Sequence, residues 1–187
     1  MIRFLSKLIF LNLLGWKITG NVPEDKKIIA IVAPHTSWHD FFVGIFTRSI
    51  LKMEKRIKFL GKDELFKIPV IGSILLKLGG YPVVRNNRMN SVDTVVEIFK
   101  NNKKFFLAMA PEGTRAKVDE LKTGFYYIAL KAKVPILLVG FCFKNRIVHF
   151  GEKFFPTGNI NKDMKKIIKF FKNYQGKIPA NGLNHFI

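Results

Sequence analysis

The chain has 187 residues, of which 48% are hydrophobic, and 32 Lys and Arg against 13 Asp and Glu give it a net charge of +19. This length suits one domain with a sizeable core, and the apolar content excludes intrinsic disorder. The single cysteine, Cys142, excludes an intramolecular disulfide and a zinc site built from several cysteines.

The first sixteen residues are apolar with a cationic start, and they predict a helix that lies in a membrane interface. Such a helix would be about 24 Å long, which is shorter than the ~30 Å hydrocarbon core of a bilayer. Arg3, Lys7 and Trp16 are expected at the level of the lipid headgroups. The alternative is a helix packed on the domain's own core. We therefore predict a membrane-associating helix within residues 1–20 and a domain at residues 21–187.

Strand and helix patterns alternate along the rest of the chain. Strands are predicted at residues 28–32, 56–60, 81–84, 105–109, 135–141 and 146–150, the last of them near a sheet edge. Helices are predicted at residues 41–51, 74–78, 91–99 (capped by Asn90 and Ser91), 124–132 and 162–174. The last helix has a basic face, which suits either solvent or a membrane surface. The alternation predicts an α/β fold: a single domain with a largely parallel central sheet flanked by helices, plus the N-terminal amphipathic helix.

Polar clusters directly follow three predicted strands, at residues 35–40, 85–88 and 112–115. The carboxyl ends of parallel strands meet at one edge of a sheet, where sites gather. His35 and Asp40 could act as a base and its orienting partner if the chain between them turns, with Asp40 near the start of the next helix. Arg85 and Arg115 suit a phosphate or a carboxylate.

Four blocks of the sequence carry a resemblance to a known family. His35 and Asp40 are separated by four residues, residues 62–72 and 79–85 follow, and the last two blocks are Pro111-Glu112-Gly113-Thr114-Arg115 and residues 134–139. In this order and spacing, over about residues 16–141, they resemble the glycerolipid acyltransferases of the lysophosphatidic acid acyltransferase type.

The resemblance implies transfer of a fatty acyl group from a thioester to a hydroxyl of a lysolipid, with no cofactor beyond acyl-CoA or acyl carrier protein as co-substrate. It makes His35 the general base and Asp40 the residue that orients its imidazole. It assigns substrate binding to Arg85, Glu112, Gly113, Thr114 and Arg115. It also implies phospholipid synthesis at the cytoplasmic face of the cell membrane, on an anionic surface that the positive charge suits.

Three departures from the family's usual residues leave the acceptor open. Pro34 stands where asparagine is common, and Ala110 and Ala116 flank the Glu112 block in place of phenylalanine and serine. Lysophosphatidic acid is the expected acceptor, and ornithine- or glycine-containing lysolipids are alternatives.

Other classes of function compete with this interpretation. His35, His39 and Asp40 could bind a metal if one helix ran continuously from Pro34 to Asp40, but no further ligand cluster follows and we expect no metal. The net charge would suit a nucleic acid, yet the basic residues are spread along the chain and many aromatic residues lie within apolar runs, so we expect none. A non-catalytic protein that binds anionic lipids is the third alternative.

Overall fold

The central feature of the computed structural model, which describes residues 2–83 and 88–186 (without the side chains of residues 2 and 88–91), is a seven-stranded sheet. Its strands are β1 (Lys17–Gly20), β2 (Lys27–Ala33), β3 (Ile57–Lys62), β4 (Gly80–Val83), β5 (Phe105–Met109), β6 (Ile136–Cys142) and β7 (Ile147–Phe154). Their order across the sheet is β1-β7-β6-β2-β5-β3-β4, and β6 with β7 is the antiparallel pair among five parallel ones. The predicted largely parallel α/β sheet is confirmed.

Helices cover both faces of the sheet. They are α1 (Ile2–Lys7), which continues as a π-helix (Leu8–Leu13), α2 (His39–Ile50), α3 (Asp63–Lys67), α4 (Ile71–Lys77), α5 (Arg88–Asn101), α6 (Gly124–Ala132), α7 (Ile160–Phe171) and a 3-10 turn (Pro179–Asn181). Residues of α5, α6 and α7 share one core cluster, whereas the N-terminal helix and α2 contribute to a second cluster on the other face.

Strand β2 explains how the two clusters are separated. Ile29 and Ile31 point into the cluster beneath α5, α6 and α7, and Ile28 and Ala30 point into the cluster beneath α2. Because both faces of this strand are buried, its sequence is a continuous apolar run rather than an alternating pattern. The buried central strand supports the loop that follows it.

Several predicted boundaries change in the structure. Helix α5 begins at Arg88, so Asn90 and Ser91 lie within the helix and the prediction that they cap it is wrong. Helix α7 begins at Ile160, and its cap is Asn159, whose side-chain oxygen accepts from the Lys162 N–H at 3.1 Å. Strand β7 is second from the sheet edge because the unpredicted β1 pairs with it. Four residues are too few to give β1 a recognisable period in the sequence.

The N-terminal helix packs on the domain with one side and is exposed on the other. Ser6 donates a hydrogen bond to Ser49 Oγ at 3.0 Å, and Phe10 is buried. Trp16 is 7% exposed and stacks on the Phe10 ring, so its expected position at the lipid headgroups is wrong. The exposed side carries Phe4, Leu5, Leu8 and Leu13. Among the described residues, none of the helices combines the length and the apolar character that crossing a bilayer requires.

Candidate active site

The loop at residues 34–38, which we call the catalytic loop, joins the end of β2 to the start of α2. It brings His35 back toward Asp40, and His35 Nδ1 lies 3.0 Å from Asp40 Oδ2. Asp40 is the second residue of α2, so its carboxylate lies at the positive end of the helix dipole. The expected meeting of these two residues across a turn is therefore observed.

Asp40 is fixed by hydrogen bonds from the loop itself. Its Oδ2 atom accepts from the backbone N–H groups of Thr36 and Ser37, each at 2.9 Å, and the residue is 4% exposed. An ionised carboxylate only accepts hydrogen bonds, so His35 Nδ1 carries the proton that it donates to Asp40. The lone pair of His35 is then on Nε2. The His35 side chain is 26% exposed, which leaves this nitrogen accessible to a substrate.

Glu112 lies under the catalytic loop. Strands β2 and β5 are parallel neighbours, which brings the end of β5 beside the end of β2, and Glu112 Oε1 accepts from the His35 backbone N–H at 2.7 Å. Glu112 is 1% exposed, and its Oε2 makes no hydrogen bond among the described residues. Burial raises the pKa of its carboxyl group, and the hydrogen bond from His35 opposes this effect. Glu112 thus contacts His35 directly, a contact that its expected role in substrate binding did not include.

Residues 113–115 follow as an exposed turn beside the pair. Gly113 has a φ of +66°, a left-handed conformation that favours glycine, and its N–H donates to Ala110 O at 3.2 Å. Thr114 and Arg115 are exposed and face solvent. The structure therefore places Glu112 in contact with His35, as its position after a neighbouring strand predicts, and residues 113–115 continue the chain from Glu112. Arg85 lies outside the described residues.

The C-terminal residues 175–186 contact both loops of the site, which the sequence patterns did not reveal. The Ile178 N–H donates to Thr36 Oγ1 at 3.1 Å, and Asn181 Nδ2 donates to the Arg115 carbonyl at 3.0 Å. A Cβ atom at Gly176 would lie 2.6 Å from Thr36 Oγ1, so only glycine fits against the catalytic loop. Gly176 is the one signal in the sequence that could have indicated this close contact, because the segment has no helical or strand periodicity.

A cavity of about 700 Å³ lies beside the catalytic loop. The N-terminal helix, α2, the β6–β7 turn and the C-terminal segment line it. Its apolar lining includes Phe10, Leu13, Phe42, Val43, Phe46 and Phe143, and its polar lining includes His39, Lys144, Arg146 and Lys177. The cavity can therefore accept an apolar chain together with a negatively charged group.

The geometry removes the basis for the alternative metal site. Helix α2 begins at His39, so no continuous helix carries His35, His39 and Asp40 on one face. His39 Nδ1 lies 2.8 Å from Ser37 Oγ and its ring packs on Trp38. Within residues 2–83 and 88–186, no group of three or more His, Cys, Asp or Glu residues is arranged to bind a metal.

The raised pKa of Glu112 predicts a pH-dependent stability. Because the native pKa exceeds the ordinary value of 4.5, the contribution of the protonated carboxyl is complete below that pH and is lost as the pH rises through the native pKa. Glu112→Gln stays neutral and keeps an oxygen for the His35 N–H. We expect the free energy of unfolding of the wild type, relative to this variant, to fall in urea titrations as the pH rises above about 4.5 and through the native pKa, by about 1.4 kcal/mol per unit of pKa difference.

Glu120→Gln is the matched control, because Glu120 is exposed and lies, like Glu112, on the segment between β5 and α6. Its free energy of unfolding should follow that of the wild type across the range. A difference between wild type and Glu112→Gln that does not change with pH would contradict the raised pKa.

A largely parallel sheet with a His–Asp pair after β2 and a Glu-bearing turn after β5 is the arrangement that the resemblance to acyltransferases leads us to expect. The chain belongs to the Acyltransferase family, whose model matches residues 16–141. This confirms the resemblance to glycerolipid acyltransferases that the sequence blocks carry.

Individual relatives agree with this assignment. The chain is 35% identical to 1-acyl-sn-glycerol-3-phosphate acyltransferase LPAT1, chloroplastic, of Arabidopsis thaliana, over 58% of this chain and 32% of that protein. It is 31% identical to the 1-acyl-sn-glycerol-3-phosphate acyltransferase of Bacillus subtilis, over 63% of this chain and 56% of that one. The matched region therefore spans between about a third and just over half the length of these relatives.

One solved structure is similar along most of the chain. The crystal structure of the 1-acyl-sn-glycerophosphate (LPA) acyltransferase PlsC from Thermotoga maritima superposes with a TM-score of 0.62 and 26% identity. The match covers 92% of this chain and 76% of that one, and it agrees with the α/β fold described above.

Proposed function

We propose that this protein is a membrane-associated O-acyltransferase. It moves a fatty acyl group from acyl-CoA or acyl carrier protein to a hydroxyl of a lysophospholipid such as 1-acylglycerol-3-phosphate, as a step of phospholipid synthesis. The observation that carries the proposal is the 3.0 Å contact between His35 Nδ1 and Asp40 Oδ2, which leaves Nε2 available as a base. The names of the relatives support the same reaction and acceptor.

In this reaction the acceptor's own hydroxyl is the nucleophile. His35 Nε2 removes the hydroxyl proton as the oxygen attacks the thioester carbonyl carbon, which forms a C–O bond and a tetrahedral intermediate. Asp40 stabilises the imidazolium that this proton transfer creates, and its bonds from Thr36 and Ser37 keep it in position. The C–S bond then breaks, and the imidazolium returns the proton to the leaving sulfur. No side chain of the protein is acylated.

The acceptor's phosphate is proposed to bind the exposed turn beside His35. The Arg115 guanidinium carries a fixed positive charge and forked donors that match phosphate oxygens. Arg85 is proposed as a second phosphate ligand on the basis of the family resemblance. Thr114 and the backbone at Gly113 complete this binding turn, which Glu112 connects to the base through its bond from the His35 N–H.

The donor is proposed to use the 700 Å³ cavity beside the catalytic loop. Its apolar walls suit a fatty acyl chain, and Lys144 and Lys177 suit the phosphate groups that both CoA and the carrier protein's prosthetic arm contain. Because the N-terminal helix forms one wall, its exposed apolar side would hold the cavity close to lipid. We propose that this helix associates the enzyme with the cytoplasmic face of the membrane, without spanning it.

The proposal is tested by incubating the protein with a panel of lysolipids and both thioester donors and identifying products by mass. The panel contains lysophosphatidic acid and lysolipids with ornithine or glycine headgroups. We expect a doubly acylated phosphatidic acid from lysophosphatidic acid. If products form only from the lysolipids with ornithine or glycine headgroups, the acceptor is one of these lipids and not lysophosphatidic acid. If the protein binds lipid vesicles but forms no product, it is a non-catalytic lipid-binding protein.

Arg115→Ala should weaken acceptor binding more than it slows chemistry. A hydrogen bond to a charged group is worth about 1.5–3 kcal/mol, and the exposure of Arg115 places the loss toward the lower end. We expect the KM for lysophosphatidic acid to rise roughly tenfold with kcat nearly unchanged. Lys117→Ala, which removes an exposed positive charge two residues away, is the matched control and should change KM less than threefold as an order-of-magnitude expectation. An unchanged KM in Arg115→Ala would remove Arg115 from the acceptor site.

A further inference from the structure

Residues 63–78, which we call the α3–α4 hairpin, expose more apolar surface than a solvated element needs. Phe66 anchors the hairpin, since its ring lies close to the backbone of Gly61 and Gly80. Most of its other large apolar side chains point outward: Leu65, Ile68, Val70, Ile71, Ile74 and Leu76 are all exposed. A contiguous set of exposed aliphatic side chains is typical of a surface that contacts lipid or another protein. None of the steps proposed for acyl transfer uses these side chains.

The tip of the hairpin is a strained turn that presents valine to solvent. The Ile71 N–H donates to the Pro69 carbonyl at 2.7 Å, which closes a γ-turn around Val70, and Val70 has a φ of +66°. A β-branched residue is unfavourable in this conformation, which glycine adopts most easily. Val70 is nevertheless 71% exposed, the largest exposure among the large apolar side chains of the hairpin. In water this side chain has no role that explains the strain.

The hairpin lies beside the N-terminal helix, with the last turn of α2 between them. The Arg48 guanidinium donates to the Leu78 carbonyl at the end of α4. The next two residues contact the N-terminal helix: Ser49 accepts from Ser6, and the Ile50 carbonyl accepts from Arg3. Both elements therefore contact the last turn of α2, a helix on the face of the sheet opposite to α6.

Charge indicates which partner covers the hairpin. The chain as a whole has a net charge of +19, and the exposed lysines Lys62, Lys67 and Lys77 lie at or next to the hairpin, beside Asp63 and Glu64. Exposed aliphatic side chains on a protein of this charge match an anionic bilayer, where the side chains enter the interface and the lysines stay at the headgroups. We propose that the α3–α4 hairpin inserts Val70, Ile71 and Ile74 into an anionic lipid bilayer as a second membrane contact. This inference depends on the membrane association in the proposed function, and not on the acyl-transfer chemistry.

The first test compares two paired substitutions in a sedimentation assay with vesicles of phosphatidylglycerol and phosphatidylcholine. Ile71→Ser with Ile74→Ser removes two exposed aliphatic side chains from the hairpin, and we expect the partition coefficient to fall at least about tenfold. Tyr127→Ser with Leu130→Ser is the matched control, because both residues are equally exposed on α6 at the opposite face. The control pair should bind as the wild type does, and an equal loss in both pairs would overturn the proposal. Circular dichroism of all variants checks that they are folded.

The second test reads insertion at the tip directly. An environment-sensitive dye is attached to the Val70→Cys variant, and to Leu130→Cys as the control; the native Cys142 is buried and does not compete. We expect a blue shift at position 70, but not at position 130, when anionic vesicles are added. If the protein sediments with vesicles but the dye at position 70 shows the same emission wavelength as without vesicles, the proposal is overturned. A blue shift in the absence of lipid would also overturn it, whether it appears when the protein self-associates or when acidic acyl carrier protein is added.

The proposed membrane contacts of the hairpin and of the N-terminal helix can be tested separately. Leu5→Ser with Leu8→Ser tests the N-terminal helix: if this pair abolishes sedimentation and the hairpin pair does not change it, the helix alone binds the membrane and the hairpin inference is wrong. A wild-type protein that does not sediment would refute membrane association through either element. The mass assay with detergent-dispersed lysolipid, which needs no bilayer, would still test acyl transfer.

Discussion

His35→Ala should lower kcat for acyl transfer by roughly 10²–10⁴, the range that a positioned general base contributes. This corresponds to about 2.7–5.5 kcal/mol of transition-state stabilisation at 1.36 kcal/mol for each factor of ten. Folding should survive, because Asp40 keeps the N–H donors of Thr36 and Ser37 after the imidazole is removed. The measurement is product formation from lysophosphatidic acid under saturating donor, with a thermal melt of the same preparation.

Two other histidines provide the controls for this result. His149 lies on β7, where its Nδ1 is 2.8 Å from Thr19 Oγ1, so His149→Ala should keep kcat within about threefold. His39 is adjacent to Asp40 but its Nδ1 faces Ser37 Oγ, so His39→Ala should retain at least about tenfold more activity than His35→Ala. A wild-type rate in His35→Ala, or a larger loss in His39→Ala, would show that His35 is not the base.

The relation between His35 and Asp40 could be predicted because it is local. Asp40 follows His35 by five positions, a buried strand ends just before His35, and a helix begins one residue before Asp40, so the chain has few ways to connect them. The position of Glu112 beside them follows from a different rule, namely that adjacent parallel strands end at the same edge of a sheet. The family resemblance added the chemistry that neither rule contains.

The contacts that could not be predicted are those between distant, patternless segments. Asn181 bonds to the Arg115 carbonyl, and the Ile178 N–H bonds to Thr36, yet neither segment has a period that would pair it with the other. Trp16 misled the sequence interpretation for a related reason. An aromatic residue next to a lysine suits a membrane interface and a protein core equally well, and only the position of Phe10 and Phe143 around it decides between them.

Asp40→Asn and Asp40→Ala should separate the electrostatic role of this residue from its structural role. In Asp40→Ala the buried N–H groups of Thr36 and Ser37 lose their acceptor, and at about 1–3 kcal/mol for each, we expect the free energy of unfolding to fall by roughly 2–5 kcal/mol. Asp40→Asn can keep its amide oxygen at the Oδ2 position, where it accepts the same two bonds and the one from His35. Its cost in stability should therefore be smaller, arising from the amide nitrogen at the buried Oδ1 position.

The two variants should nevertheless resemble each other in catalysis. Neither supplies the negative charge that stabilises the imidazolium in the transition state, so we expect kcat to fall by at least about 10²-fold in both. Stopped assays of acyl transfer at saturating substrates, beside urea titrations of the same samples, measure the two quantities independently. If Asp40→Asn kept the wild-type kcat, the carboxylate would only support the loop and the imidazolium would need no counter-charge. If instead Asp40→Asn were as unstable as Asp40→Ala, the charge would be required for folding of the loop, because the amide oxygen alone could not satisfy the two buried N–H groups.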